Sequence, residues 1–141
     1  MQRTILMTAV SLGLALANVP AALAQAQDYP PEVILAYMDV DKDGKVTLND
    51  YLNVQLPNLT KFDADGDGML NPKEFRESLA TRSAKENADR SFENFDTETP
   101  RRKLTQREFL GYHAFIFTKF LDTDRDGTLS LKEFTKIARQ N

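Results

Sequence analysis

One twelve-residue pattern occurs three times in this chain, and no other feature restricts its fold as much. Residues 39–50 read DVDKDGKVTLND, residues 63–74 read DADGDGMLNPKE, and residues 122–133 read DTDRDGTLSLKE. Each has Asp at positions 1, 3 and 5, Gly at 6, an aliphatic residue at 8 (Val46, Leu70, Leu129) and a carboxylate at 12. Three carboxylates within five residues repel one another. Such a stretch is either solvated and unstructured, or it surrounds something of high positive charge. A chance acidic run does not keep one register through three copies, nor place an apolar residue at the same point each time.

The spacing suits a hard divalent cation. Calcium takes about six to eight oxygens at ~2.4 Å. Side chains at positions 1, 3 and 5 of a tight loop converge on one point, and position 6 must turn with positive φ, which Gly tolerates. A backbone carbonyl at position 7, a water-mediated contact at 9 and a two-oxygen carboxylate at 12 complete the shell. This is the motif D-x-[DN]-x-[DN]-G-x5-E. Loops 63–74 and 122–133 satisfy it in full, whereas loop 39–50 ends in Asp50. The residues before each loop (Met38, Phe62, Leu121) and just after position 12 (Tyr51, Phe75, Phe134) are apolar or aromatic and are expected to pack as core.

The chain thereby resembles the EF-hand superfamily, and within it small exported bacterial calcium-binding proteins of the calsymin-like sort, from about Pro31 to Ala138. The resemblance implies an all-α fold of helix–loop–helix repeats holding up to three Ca2+. Carried over by position, it implies a first ligand set of Asp39, Asp41, Asp43, the Lys45 carbonyl, Thr47 and Asp50. The second is Asp63, Asp65, Asp67, the Met69 carbonyl, Asn71 and Glu74; the third is Asp122, Asp124, Asp126, the Thr128 carbonyl, Ser130 and Glu133. The short Asp50 arm weakens calcium in the first loop or shifts it toward Mg2+, which accepts six ligands. The first hand also looks somewhat like a dockerin repeat, but the Glu-terminated hands do not suit that family.

A fourth hand is degenerate. Phe95-Asp96 resembles a loop start, and Leu104-Thr105, Glu108 and Phe109 resemble positions 8, 9, 12 and 13. Asp96 to Glu108 is one residue too long, and Pro100, Arg101 and Arg102 stand where Asp and Gly belong. Its cations (Arg101, Arg102, Lys103, Arg107) either balance acidic neighbours or meet an anionic partner, such as an envelope component.

Only twelve residues separate Asp50 from Asp63, and thirteen separate Glu108 from Asp122. That is too short for two helices and a linker. A shared helix over about Leu48–Phe62, bent near Pro57, and another over about Gln106–Leu121 fit better. A helix of ~14 residues is ~21 Å long, so its two loops lie at opposite ends. The expected pairing is then loop 63–74 with the degenerate loop, and loop 39–50 with loop 122–133. The competing arrangement breaks the chain at Leu56-Pro57-Asn58 and pairs loops 39–50 and 63–74.

The N-terminus carries Arg3, then the apolar run ILMTAVSLGLALANV, Pro20 and Ala22-Leu23-Ala24. That order reads as a signal peptide over residues 1–24, with an uncut anchor as the alternative. Cleavage leaves one domain over residues 25–141, with 17 basic and 21 acidic residues and a net charge of −4. This balance is too mild for nucleic-acid binding. No membrane-length apolar run follows residue 24, so the mature protein is expected to be periplasmic or secreted. The absence of cysteine excludes a disulfide framework, a thiolate zinc site and a catalytic thiol. Bound metal is the usual substitute staple in so small an exported domain.

Three function classes compete: a calcium buffer or calcium-stabilised binding protein, a sensor that docks a protein partner, and an enzyme. The enzyme class has little support. His113 stands in an apolar helical run, GYHAFIF, and no nucleophile–base pairing or glycine-rich phosphate loop accompanies it. A sensor groove is typically rich in methionine, and after residue 24 only Met38 and Met69 remain. Phe92, Phe115, Phe117 and Phe120, however, exceed what the loop-flanking core needs. Three bound Ca2+ would take the mature chain from −4 to about +2.

Overall fold

The computed structural model describes residues 30–79 and 82–139, so the segment read as a signal peptide lies outside the described residues. The described chain is helical: α1 (Pro31–Met38), α2 (Leu48–Phe62), α3 (Pro72–Ser78), α4 (Arg82–Glu86), α5 (Ala88–Phe95), α6 (Gln106–Ile116, continued by a π-helical turn Phe117–Leu121) and α7 (Leu131–Arg139). None of the helices described is long and apolar enough to cross a membrane.

Each loop hands over to its following helix in the same way. Thr47, Asn71 and Thr105 are N-caps whose side-chain oxygens accept amide hydrogens of the first turn, and Asp50, Glu74 and Glu108 at N3 bond back to the cap amide. Ser130 and Glu133 repeat this exchange at the start of α7. Such capping boxes satisfy amides that no intrahelical acceptor reaches. The helix ends are equally regular, with the amides of Asp39, Asp63 and Asp96 closing onto the carbonyls of Leu35, Leu59 and Phe92.

The helix entering the last loop differs. The Asp122 amide closes onto the Phe117 carbonyl, five residues back, at 2.9 Å. The cause is the residue count noted above. Tyr51, Val54 and Leu59 on α2 correspond at constant offset to Phe109, Tyr112 and Phe117, all buried. The thirteenth residue enters after Phe117. A π-turn takes up one extra residue, so Asp122 still leaves the helix in the right direction to open its loop.

The expected shared helices are present, and α2 continues through Pro57. They settle the loop pairing in favour of opposite ends. Leu70 and Leu104 exchange both backbone hydrogen bonds, at 2.9 and 2.8 Å. Thr47 bridges Thr128, and the Leu129 amide donates to the Val46 carbonyl at 2.7 Å. Loop 63–74 thus pairs with the degenerate loop, and loop 39–50 with loop 122–133. The arrangement that breaks α2 at Pro57 is excluded.

Each loop pair sits on its own apolar cluster. One holds Leu59, Leu70, Phe75, Phe92, Leu104, Phe109 and Tyr112; the other holds Met38, Val46, Tyr51, Val54, Phe117, Leu121, Leu129 and Phe134. α2 and α6 contribute to both, and Ile116 packs against both. All the position-8 residues are buried, as are Tyr51, Phe75 and Phe134 after position 12.

His113 lies where α6 passes α2. It is buried, its Nδ1 is 3.4 Å from the Tyr51 hydroxyl, and it stacks edge-on against Phe109 and Tyr112. Burial pushes its pKa from 6.5 down to about 3. The native state therefore refuses a proton that the unfolded chain accepts below pH 6.5, and stability falls from pH 6.5 toward 3. Urea unfolding in the presence of a chelator is expected to lose about 2 kcal/mol between pH 6.5 and 4.5. His113→Phe is expected to flatten that interval. An unchanged slope in the variant would assign the acid sensitivity elsewhere.

Candidate metal centres

The three loops of the repeated pattern fold around their first aspartate. Asp39, Asp63 and Asp122 each accept the amide of the position-5 aspartate through one oxygen, and that of the position-6 glycine through the other at 2.8–3.0 Å. Those glycines, Gly44, Gly68 and Gly127, have φ of +86°, +80° and +88°. Other residues rarely adopt this turn. The position-5 carboxylates then accept the amides of Lys45, Met69 and Thr128 at 2.8–2.9 Å.

Three carboxylate clusters result: Asp39, Asp41 and Asp43; Asp63, Asp65 and Glu74; Asp122, Asp124 and Glu133. Within each, one oxygen from every residue lies within 4.8 Å of the others. Oxygens around a calcium ion at ~2.4 Å can be at most twice that distance apart, so the donor sets fit the ion in both chemistry and size. The loops are not equivalent. Glu74 and Glu133 join their clusters, but Asp50 does not. All three position-12 carboxylates accept amides from loop positions 2 and 9, Asp50 from Val40 and Thr47, but only the longer glutamates also reach the cluster.

The position-12 carboxylates of the first and last loops share one electrostatic cause. The Thr47 hydroxyl leads the hydrogen bonds that hold Asp50 below the usual carboxylate range, against the opposing effect of burial. Burial also disfavours the Glu133 carboxylate, but hydrogen bonds from Ser130, Asp124 and Thr123 overcome it and bring the pKa from 4.5 down to about 2. At Asp41 the Asp43 amide favours the ionised form, yet partial desolvation and the charges of Asp43, Asp50 and Asp39 prevail and push the pKa up. That is the mutual repulsion of carboxylates clustered in one loop.

The degenerate loop preserves the frame. The Arg102 amide donates to Asp96 Oδ2 at 2.8 Å, the bond a position-6 glycine makes elsewhere, and Arg102 has φ +66°. Glu108 accepts the Thr97, Glu98 and Thr105 amides as a position-12 carboxylate would. Asp96 and Glu108 nevertheless form no metal-sized cluster among the described residues. Three of the cations are engaged within the fold while staying at its surface. Arg101 donates to the Asp96 carbonyl, Arg107 pairs with Glu98, and Lys103 reaches Asp65 and Asp67 of the neighbouring loop.

The family model described as EF hand matches residues 59–80 and 119–138. These segments contain the two loops that end in glutamate. The chain belongs to the EF-hand superfamily. Searches of the curated proteins and of the solved structures returned no match. The two EF hands matched are those whose position-12 carboxylate joins the acidic cluster. The hand ending in Asp50 and the hand with the thirteen-residue loop lie outside the matched segments.

Thr47, Asn71 and Ser130, position-9 ligands in the sequence pattern, also cap the helices that follow. T-x-x-D, N-x-x-E and S-x-x-E are the sequence signal of that second role. Among the supernumerary phenylalanines, Phe92 and Phe117 are core, while Phe115 and Phe120 are exposed and lie 6.0 Å apart as an edge-on pair.

Proposed function

We propose that this EF-hand chain is an exported calcium-binding protein that uses the ion as a fold staple and buffer. The observation that carries the reading is the trio of carboxylate clusters, each of metal-ligand dimensions. The ligands are those named by loop position, including the carbonyls of Lys45, Met69 and Thr128. Loops 63–74 and 122–133 hold Ca2+ with two oxygens from Glu74 and Glu133. Loop 39–50, whose shorter Asp50 arm stays out of its carboxylate cluster, binds more weakly and accepts Mg2+. Affinities between ~10⁻⁶ and 10⁻³ M suffice outside the cytoplasm. Export itself rests on the order of residues 1–24.

A sensor is the second reading, favoured by one observation: the exposed Phe115–Phe120 pair, whose Phe120 lies in the π-turn that leads into loop 122–133. A Ca2+ titration followed by ANS fluorescence, with Mg2+ as control, separates the two. The staple reading expects emission that stays flat or falls as Ca2+ saturates. A saturable rise with Ca2+ and none with Mg2+ would transfer the role to the sensor.

A further inference from the structure

Loops 63–74 and 122–133 carry the same complete motif, but their surroundings differ by one charge. Opposite loop 63–74 stands Lys103, immediately before the bridging Leu104 of the degenerate hand. The Leu70–Leu104 bridge fixes its backbone, so its ammonium falls on the acidic loop. Lys103 Nζ is 3.3 Å from Asp65 Oδ2 and also pairs with Asp67. Its side chain is 31% exposed, and Asp67 is 27% exposed, so the pair is partly screened from water.

The residue in the corresponding place opposite loop 122–133 is Lys45, immediately before Val46. Lys45 is exposed and forms no ion pair among the described residues. Asp124 and Asp126 therefore face no fixed cation of this kind. Position 7 holds lysine in both hands, and the difference lies in where the chain aims it.

We propose that Lys103 is a tethered counter-cation that lowers the calcium affinity of loop 63–74 below that of loop 122–133. The degenerate hand thereby acts on its neighbour: it has given up its own ion and presents a fixed positive charge to the next site. This rests on the calcium reading above. Without the ion, the ammonium relieves the repulsion between Asp65 and Asp67. When Ca2+ enters, the ammonium must withdraw or remain within a few ångströms of a like charge. In either case the ion loses part of its electrostatic gain. For a charge pair ~6 Å apart in water-like surroundings, that loss is about tenfold in affinity. The two matched sites then fill in sequence as calcium rises, loop 122–133 first.

The amides of Gly68 and Gly127, which bond to Asp63 and Asp122, report the two loops separately. Ca2+ titration followed by their NMR signals is expected to give a lower midpoint for Gly127. Lys103→Gln should lower the Gly68 midpoint about tenfold at low salt and leave Gly127 within about twofold. Lys103→Arg, which keeps the charge, should behave as wild type. The Leu70 and Leu104 amides check that each variant retains its bridge. An unchanged Gly68 midpoint in Lys103→Gln overturns the proposal. A raised midpoint also overturns it, because Lys103 would then be orienting Asp65 and Asp67 for the ion. If neither glycine responds to Ca2+ in the wild type, the calcium reading itself fails.

Discussion

Saturating Ca2+ is expected to raise the thermal midpoint of the metal-free protein by roughly 20 °C, and excess chelator to reverse the change. A site filled at a hundred times its dissociation constant adds ~2.7 kcal/mol to the folded state, so three sites add ~8 kcal/mol. For a domain of this size each kcal/mol moves the midpoint by a few degrees. The structural reason is the charge held in the loops. Asp63, Asp65 and Glu74 converge within one ion's span, as do Asp122, Asp124 and Glu133. Amide and hydroxyl hydrogen bonds and Lys103 offset them in part. Glu133→Gln removes one charged ligand and should weaken its site by roughly a hundredfold, ~2.7 kcal/mol of the calcium-dependent gain. The same change weakens the Ser130 capping box and costs about 1 kcal/mol without the ion. Calorimetry with and without Ca2+ separates these two losses. A midpoint indifferent to Ca2+ in the wild type would leave the clusters as mere surface charge.

Much of this was legible because the constraints are local. A repeated D-x-D-x-D-G register dictates a tight loop, and the counts between Asp50 and Asp63 and between Glu108 and Asp122 dictate shared helices. From shared helices the pairing of Leu70 with Leu104 follows by length alone. The thirteenth residue before Asp122 was visible as a number, but its conversion into a π-turn needed the burial of Phe117 and Leu121 to decide where the excess goes. What stayed hidden was non-local. Lys103 meets Asp65 and Asp67 across 38 and 36 residues. Its neighbours in the sequence suggested a basic patch, whereas Arg101, Lys103 and Arg107 are each paired within the fold. The exposure of Phe115 and Phe120 was likewise undecided, because helical spacing places residues on a face without saying what covers it.

Phe75→Ala is expected to cost about 3–5 kcal/mol, and the loss should be felt at both ends of the molecule. Phe75 is fully buried and meets Phe92 and Tyr112 edge-on, with ring centroids 5.9 and 5.1 Å away. If each loop pair were an independent unit, damage would stop at the cluster around Phe75. The shared helices argue otherwise. α2 carries Leu59 into that cluster and Tyr51 and Val54 into the other, while α6 carries Phe109 and Tyr112 into the first and its π-turn carries Phe117 and Leu121 into the second. Melting one cluster frays both helices at one end, and the residues that hold the other cluster lie one to two turns away on those same helices. Hydrogen exchange distinguishes the cases through two backbone bonds, Leu70 to Leu104 near the mutation and Leu129 to Val46 far from it. Cooperative coupling predicts that the Leu70 and Leu129 amides both lose protection, by roughly two to three orders of magnitude. If Leu129 keeps its wild-type protection while Leu70 loses its own, the two loop pairs unfold separately. Calcium bound in loops 39–50 and 122–133 would then stabilise only its own half, whereas with coupling an ion bound at either end stabilises the whole.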